Sequence, residues 1–391
     1  MRRDQILDAA SESLALGSVA DLDLAEIANK VGLKPTSVRY YFRNREDLAE
    51  ALYHRRLEEL EESLAAAEEK ESLSGAVATI FDIELQNYAQ YLEGKANRRS
   101  QLGEVRTLHR SRRSRVGARY REALERTRNL LSERSVPAGQ TVPLAAAQLL
   151  LENLFWLPAW IDDFRDWEFG YVRDQLTALT CGGILPRTVT PDWKLLDETG
   201  AGTGKAIDNA AFLRTATQLI CRKGYRGTSI DAIAAELGVT KGSFYHHNRI
   251  KESLVEQCFE ESYNRMGEFQ RKAAGMAGNP VDSIATVLAS IIRVQLDQRE
   301  PLLRASALPG LPRAIRVATI ERSKPVTRWY VSELSRAAAN GGANPVDPNI
   351  AAQFISIGAN ATYDLARFHN YSSTRDSIEN CLRLILYGVV E

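Results

Sequence analysis

Cysteine is scarce in this chain of 391 residues, and net charge is absent. Cys181, Cys221, Cys258 and Cys381 stand far apart, with no C-x-x-C pair and no histidine at zinc-ligand spacing. That excludes a disulfide scaffold and a structural zinc site, and points to reduced, buried thiols in a cytoplasmic protein. Lys and Arg total 50 against 50 Asp and Glu, so any phosphate-binding surface must be a local patch and not the whole molecule. Long apolar runs are also missing. The start, Met1-Arg-Arg-Asp-Gln-Ile6, enters charged sequence without the apolar core of a signal peptide. The most apolar stretch, Val142 to Ile161, is interrupted by Gln148, Glu152, Asn153 and two prolines, and reads as a buried or interface helix instead of a membrane span.

Signatures of catalysis are lacking as well. No nucleophile elbow or metal-ligand cluster is present. Gly204-Lys205 hints at a phosphate loop, but Thr199 stands where its first glycine belongs and Ala206 where its hydroxyl residue belongs. No enzyme activity, cofactor or metal is therefore expected.

What is present is an internal repeat. Ile27 to Leu48 laid on Ile233 to Leu254, at an offset of 206, gives seven identities in 22 positions, against about one or two from average residue usage. They are Ile27/Ile233, Ala28/Ala234, Gly32/Gly238, Ser37/Ser243, Arg43/Arg249, Glu46/Glu252 and Leu48/Leu254. Downstream, Ala146-Ala-Gln148 matches Ala351-Ala-Gln353, and Leu179 and Gly183 match Leu384 and Gly388, at an offset of 205. A slip of one residue over the whole unit makes both copies nearly full length. Between them, Pro186 to Lys205, with Gly200-Ala-Gly-Thr-Gly204, suits an exposed connector.

Apolar residues otherwise recur at helical spacing and no alternating β-branched run survives, which predicts an all-α protein. Ile6, Leu7, Ala10 and Leu14 share one face of a first helix; Leu24, Ile27, Ala28 and Val31 share one face of a second. Their equivalents are Phe212, Leu213, Ala216, Ile220 and Ile230, Ile233, Ala234, Leu237. Asp23, with Glu26 as a capping-box partner, starts the second helix, and Thr228 or Ser229 does so in the other copy. Gly32 and Gly238 supply the left-handed residue that stops it. A third helix about three residues later completes a helix-turn-helix, whose last helix enters the major groove. Over Lys34 to Phe42, Val38 and Phe42 point inward, while Thr36 and Tyr40 point outward, flanked by Ser37 and Arg39.

The pattern Ile27-Ala-x-x-Val-Gly-Leu-x-x-x-Ser-Val-x-Tyr-Tyr-Phe-x-x-Arg-Glu-x-Leu48 resembles the TetR family of bacterial regulators. Ile233-Ala-x-x-Leu-Gly-Val-Thr-Lys-Gly-Ser-Phe-Tyr-His-His-x-x-x-Lys-Glu-x-Leu254 is more similar still. Arg39 stands where that family usually has Tyr, and Asn248 replaces its usual core Phe. The resemblance implies two tandem units, each a helix-turn-helix three-helix domain followed by a helical ligand-binding and dimerisation domain. The boundaries expected are 1–50 and 51–185, a linker over 186–204, then 205–256 and 257–391. It further implies a ligand-responsive repressor of transcription, partnered by double-stranded operator DNA and a small-molecule effector, with the two units pairing within the chain and a further homodimer open. The rival reading is a helical sensor or adaptor with weakened DNA binding.

DNA contacts are expected from Thr36, Ser37, Arg39, Tyr40, Tyr41 and Arg45, and from Lys241, Gly242, Ser243, Tyr245, His246, His247 and Lys251. Adjacent His246 and His247 point about 100° apart on a helix and make poor joint metal ligands. An effector pocket is assigned to Phe81, Tyr88, Tyr120, Trp156, Trp329 and Tyr330. Nine arginines between Arg98 and Arg121 are read as pairing with the acidic helix Glu58 to Glu71, the alternatives being an auxiliary DNA surface or a site for an acidic ligand. Leu149 to Trp160 and the matching Phe354 to Phe368 are read as a helix-pair interface.

Overall fold

The computed structural model describes residues 2–102, 105–135, 142–197, 209–238, 251–276, 278–368 and 375–389. These residues form helices and connections, with no strand among them. The first half runs α1 (Arg2–Leu16), α2 (Leu24–Lys30), α3 (Pro35–Tyr41), α4 (Arg45–Glu68), α5 (Leu73–Leu92), α6 (Arg110–Arg134), α7 (Leu144–Trp156) and α8 (Phe169–Gly182). The second runs α9 (Asn209–Lys223), α10 (Ile230–Leu237), α11 (Lys251–Ala274), α12 (Pro280–Asp297), α13 (Arg313–Ala339), α14 (Pro348–Phe368) and α15 (Arg375–Tyr387). No helix of the described residues is long and apolar enough to cross a membrane.

The small amino-terminal bundle is built as the apolar spacing dictates. Ile6, Leu7, Ala10 and Leu14 of α1 and Ile27 and Ala28 of α2 are buried, and Phe212, Leu213, Ala216, Ile220, Ile233 and Ala234 are buried in the second half. Asp23 caps α2 by accepting from the Ala25 N–H, whereas Glu26 pairs with Lys30 at 3.3 Å one turn on instead of closing a capping box. Ser229 caps α10, accepting from the Ala232 N–H.

Behind the first bundle, α4 and α6 lie side by side and are laced by charge. Arg112 bonds Asp47 and Glu50, Arg115 bonds Glu50, Arg119 bonds Glu58 and Glu61, and Arg126 bonds Glu68 through Nε and Nη2. Of the nine arginines from Arg98 to Arg121, Arg99, Arg112, Arg115 and Arg119 pair with α4, and the ladder begins earlier than Glu58, at Glu46 and Asp47. Beneath it, Arg56 and Arg99 converge on buried Glu84 at 2.9 and 2.7 Å.

The halves meet through α7 and α8 on one side and α14 and α15 on the other. Gly358 lets α7 approach α14, since a Cβ there would lie 2.6 Å from Leu149 Cδ1. After α8, Ile184 donates to the Ile385 carbonyl at 3.3 Å; after α15, Val389 donates to the Thr180 carbonyl at 3.0 Å. Val389 lies 205 residues after Ile184, and Thr180 lies 205 residues before Ile385, so the contact is reciprocal.

The connector departs from an exposed tether over its first part. Asp192, Lys194 and Leu196 donate their backbone N–H groups to Asp282, Thr286 and Ser290, spaced four apart on one face of α12. Polar side chains at helical repeat thus satisfy alternate backbone N–H groups of the connector, and Leu196 is buried.

Candidate nucleic-acid interface and effector cavity

α3 is short and is held in place from one side. Pro35 occupies its first turn, where a missing N–H costs nothing. Val38 and Phe42 are buried, and the Arg3 guanidinium covers the Phe42 ring at 5.5 Å. Ahead of it, Gly32 adopts φ +66°, and Leu33 donates to the Ala28 carbonyl at 2.8 Å, closing the end of α2. The opposite face is open. Thr36, Arg39, Tyr40 and Tyr41 are exposed, Tyr40 by 85%, and Ser37 is half-buried. Tyr40 and Tyr41 meet edge to face at 5.3 Å. A row of hydroxyls, a guanidinium and phenol groups on a protruding helix can donate to phosphates and base edges. Arg45, at the start of α4, is exposed and also donates to the Ala20 carbonyl at 3.2 Å.

In the second half Gly238 closes α10 with φ +67°, as Gly32 closes α2. Lys241, Gly242, Ser243, Tyr245, His246 and His247 lie outside the described residues. Lys251 opens α11 with its ammonium 4.3 Å from the centre of the Tyr225 ring, and burial pulls its pKa down. It therefore stands against an aromatic face, in half-buried surroundings. The two amino-terminal bundles touch, Arg226 to Asp21 at 3.2 Å.

A cavity of about 580 Å³ lies where the halves join. The first half supplies Glu152 and Trp156 from α7 and the turn that follows, including Trp160; the second supplies residues of α11, α12, α13 and α14. Of the six residues assigned to a pocket from sequence, Trp156 and Tyr330 line it. Phe81 is in the core, Tyr88 donates to Asp162 at 2.5 Å, Trp329 packs against Tyr330, and Tyr120 donates to Gln148 at 3.1 Å behind the wall. Glu152 went unassigned. Its carboxylate accepts from Gln148 Nε2 at 2.8 Å and from Trp156 Nε1 at 3.0 Å. Burial, then the nearby Asp364 carboxylate, push its pKa up to about 7, against the pull of Arg106 and those two hydrogen bonds.

Residues 6–52 and 212–258 each match the family described as bacterial regulatory proteins, tetR family. Each half of the chain thus carries one stretch similar to that family's amino-terminal domain. It is 36% identical over 68 residues to an HTH-type transcriptional regulator of Bacillus subtilis called YerO, 16% of this chain and 24% of that one. It is 24% identical over 149 residues to the HTH-type transcriptional repressor KstR2 of Mycolicibacterium smegmatis, 37% of this chain and 72% of that one. The chain thus spans about a quarter of the first relative's length. Among solved structures, AibR in complex with isovaleryl coenzyme A and operator DNA is 24% identical, covering 46% of this chain and 97% of that one, with a TM-score of 0.40.

The cavity and the second amino-terminal bundle share side chains. Phe259 and Leu303 line the cavity and also belong to the apolar cluster of Phe212, Ile220 and Ile233. A second link is ionic. Asp364 binds Arg304, a lining residue, and Arg106 at 2.8 Å; Arg106 in turn donates to the Cys221 carbonyl at the end of α9. Sequence reading missed this triad because its members lie on three segments with no common spacing.

Proposed function

We propose that the chain is a sequence-specific, ligand-responsive repressor of transcription in the cytoplasm, its two units pairing within one chain and reading an operator with unlike half-sites. The observation that carries this reading is the exposed Thr36, Arg39 and Tyr40 face of α3, set on a helix-turn-helix that the sequence repeats with Gly242, Tyr245 and His246 in the matching places. Two different reading faces on one chain fit two different half-sites, because operator symmetry mirrors protein symmetry.

Two further features support it. Reciprocal hydrogen bonds at an offset of 205 are what a two-fold pairing of repeats requires. The cavity shares its wall with the second bundle, so a ligand that displaces Phe259 or Leu303 shifts the base on which α9 rests. The repressor relative KstR2 supports the sign of regulation.

The test is affinity for the chain's own promoter fragment at several salt concentrations, with Arg39→Ala beside the parent. A salt-sensitive complex in which the variant loses about 1 to 3 kcal/mol at one half-site is expected. Absence of any salt-dependent affinity overturns the reading in favour of a sensor without DNA binding.

A further inference from the structure

The cavity's chemistry is specific enough to name a ligand class. Its lining carries five aromatic side chains, Trp156, Trp160, Phe259, Tyr263 and Tyr330, and a carboxyl group on α7, Glu152. Glu152 lies deep in the protein yet keeps part of its surface accessible, and the cavity is what that surface adjoins. Of the three cationic side chains that line the cavity, Arg304 and Lys324 are ion-paired. Arg304 is ion-paired with Asp364 and stacked on the Tyr363 ring at 4.5 Å, and its remaining Nε and Nη2 are covered on all sides, so they offer an incoming anion nothing to reach. Lys324 pairs with Glu321 at 2.7 Å on α13, and Arg328, one turn further on, is exposed to solvent. Asp162 and Asp163 add exposed carboxylates to the lining.

Resting on the reading of this cavity as the effector site, we infer that it takes an organic cation with an aromatic body, for which Glu152 is the counter-ion and the surrounding rings the wall. Ring faces attract cations, more strongly once water is excluded. A carboxylate ligand, in contrast, meets Glu152 together with Asp162 and Asp163. The groups facing Glu152 are Gln148 and Trp156 on its own helix, Tyr120 on α6, Arg106, Arg304, and Asp364 on α14. Among the described residues, no histidine or cysteine lines the cavity. A bound cation replaces the proton on Glu152, so its affinity rises as Glu152 ionises, whereas an anion's affinity falls.

Tetraphenylphosphonium and tetraphenylborate have the same shape, opposite charge and no titrating group, so calorimetric titration of the full chain with each isolates the protein's contribution. The phosphonium is expected to bind more tightly than the borate, and about tenfold more tightly at pH 8 than at pH 6. Glu152→Gln is expected to weaken it at least tenfold at pH 8 and to flatten the pH profile. Tighter binding of the borate, no binding of the phosphonium, a flat profile in the parent protein, or full affinity in a folded Glu152→Gln variant overturns the inference. Should that variant not fold, the parent's own profile with the two probes decides. Promoter affinity measured without either probe keeps the questions apart: DNA binding that persists while the cation fails leaves the regulator reading standing and removes only the ligand class.

Discussion

Gly183 and Gly388 seal the joint between the halves from opposite sides: a Cβ on Gly183 would lie 2.3 Å from the Leu386 carbonyl oxygen, and a Cβ on Gly388 would lie 2.3 Å from the Cys181 carbonyl oxygen. Both glycines hold left-handed backbone, φ +67° and +71°, and the two contacts are again related by 205 residues.

Close backbone approach and positive φ act together at these positions. Gly183→Ala and Gly388→Ala should each lower unfolding stability by more than about 2 kcal/mol, because the obstacle is main chain that cannot rotate aside. Gly32→Ala has the same backbone strain but open space around the added methyl, and should cost only about 1 kcal/mol. Urea melts of the three variants check the ordering.

Tyr40 is 85% exposed and adds little to the core. Tyr40→Ala should change stability by less than about 0.5 kcal/mol while costing about 1 to 3 kcal/mol in operator affinity. A thermal melt beside a gel-shift titration separates the two effects.

The charged ladder and the buried ion pair beneath it should behave differently. Arg119 and its partners Glu58 and Glu61 sit at the surface, so Arg119→Ala should cost no more than about 1 kcal/mol. Arg56 is buried, bonds Glu84 and covers the Phe155 ring at 5.0 Å. Arg56→Ala leaves Glu84 to Arg99 alone and should cost about 3 to 5 kcal/mol, read from the same denaturation curves.

Glu152 binds its proton more tightly folded than unfolded, since its pKa rises from 4.5 to about 7. Its contribution to stability is therefore complete below about pH 4.5, declines as pH rises to about 7, and is flat beyond. Glu152→Gln, which cannot ionise, should gain on the parent protein across that window by about 1 to 3 kcal/mol. Melts at pH 5 and pH 8 measure the difference.

The two faces of α3 were legible because amphipathic spacing assigns a face residue by residue: Val38 and Phe42 inward, Thr36 and Tyr40 outward. Gly32 and Gly238 were legible because a helix that must stop abruptly needs a left-handed residue. The cavity was not, since its wall is assembled from distant segments that share no period. Only Trp156 and Tyr330 were anticipated there, from aromatic character. Glu152 did carry a signal, a carboxyl group inside the most apolar stretch of the chain, but that signal spoke first against a membrane span. The connector misled for a related reason: glycine and proline mark irregular backbone, and irregular backbone along Asp282, Thr286 and Ser290 is still well bonded.

The central claim, that one chain carries two unlike reading heads, is tested most directly by selecting bound sequences from a random pool and footprinting the selected DNA with the complex's mass determined in parallel. Two different half-sites, each protected by one end of a single chain, are predicted. A perfect palindrome protected equally on both arms by two chains would contradict it.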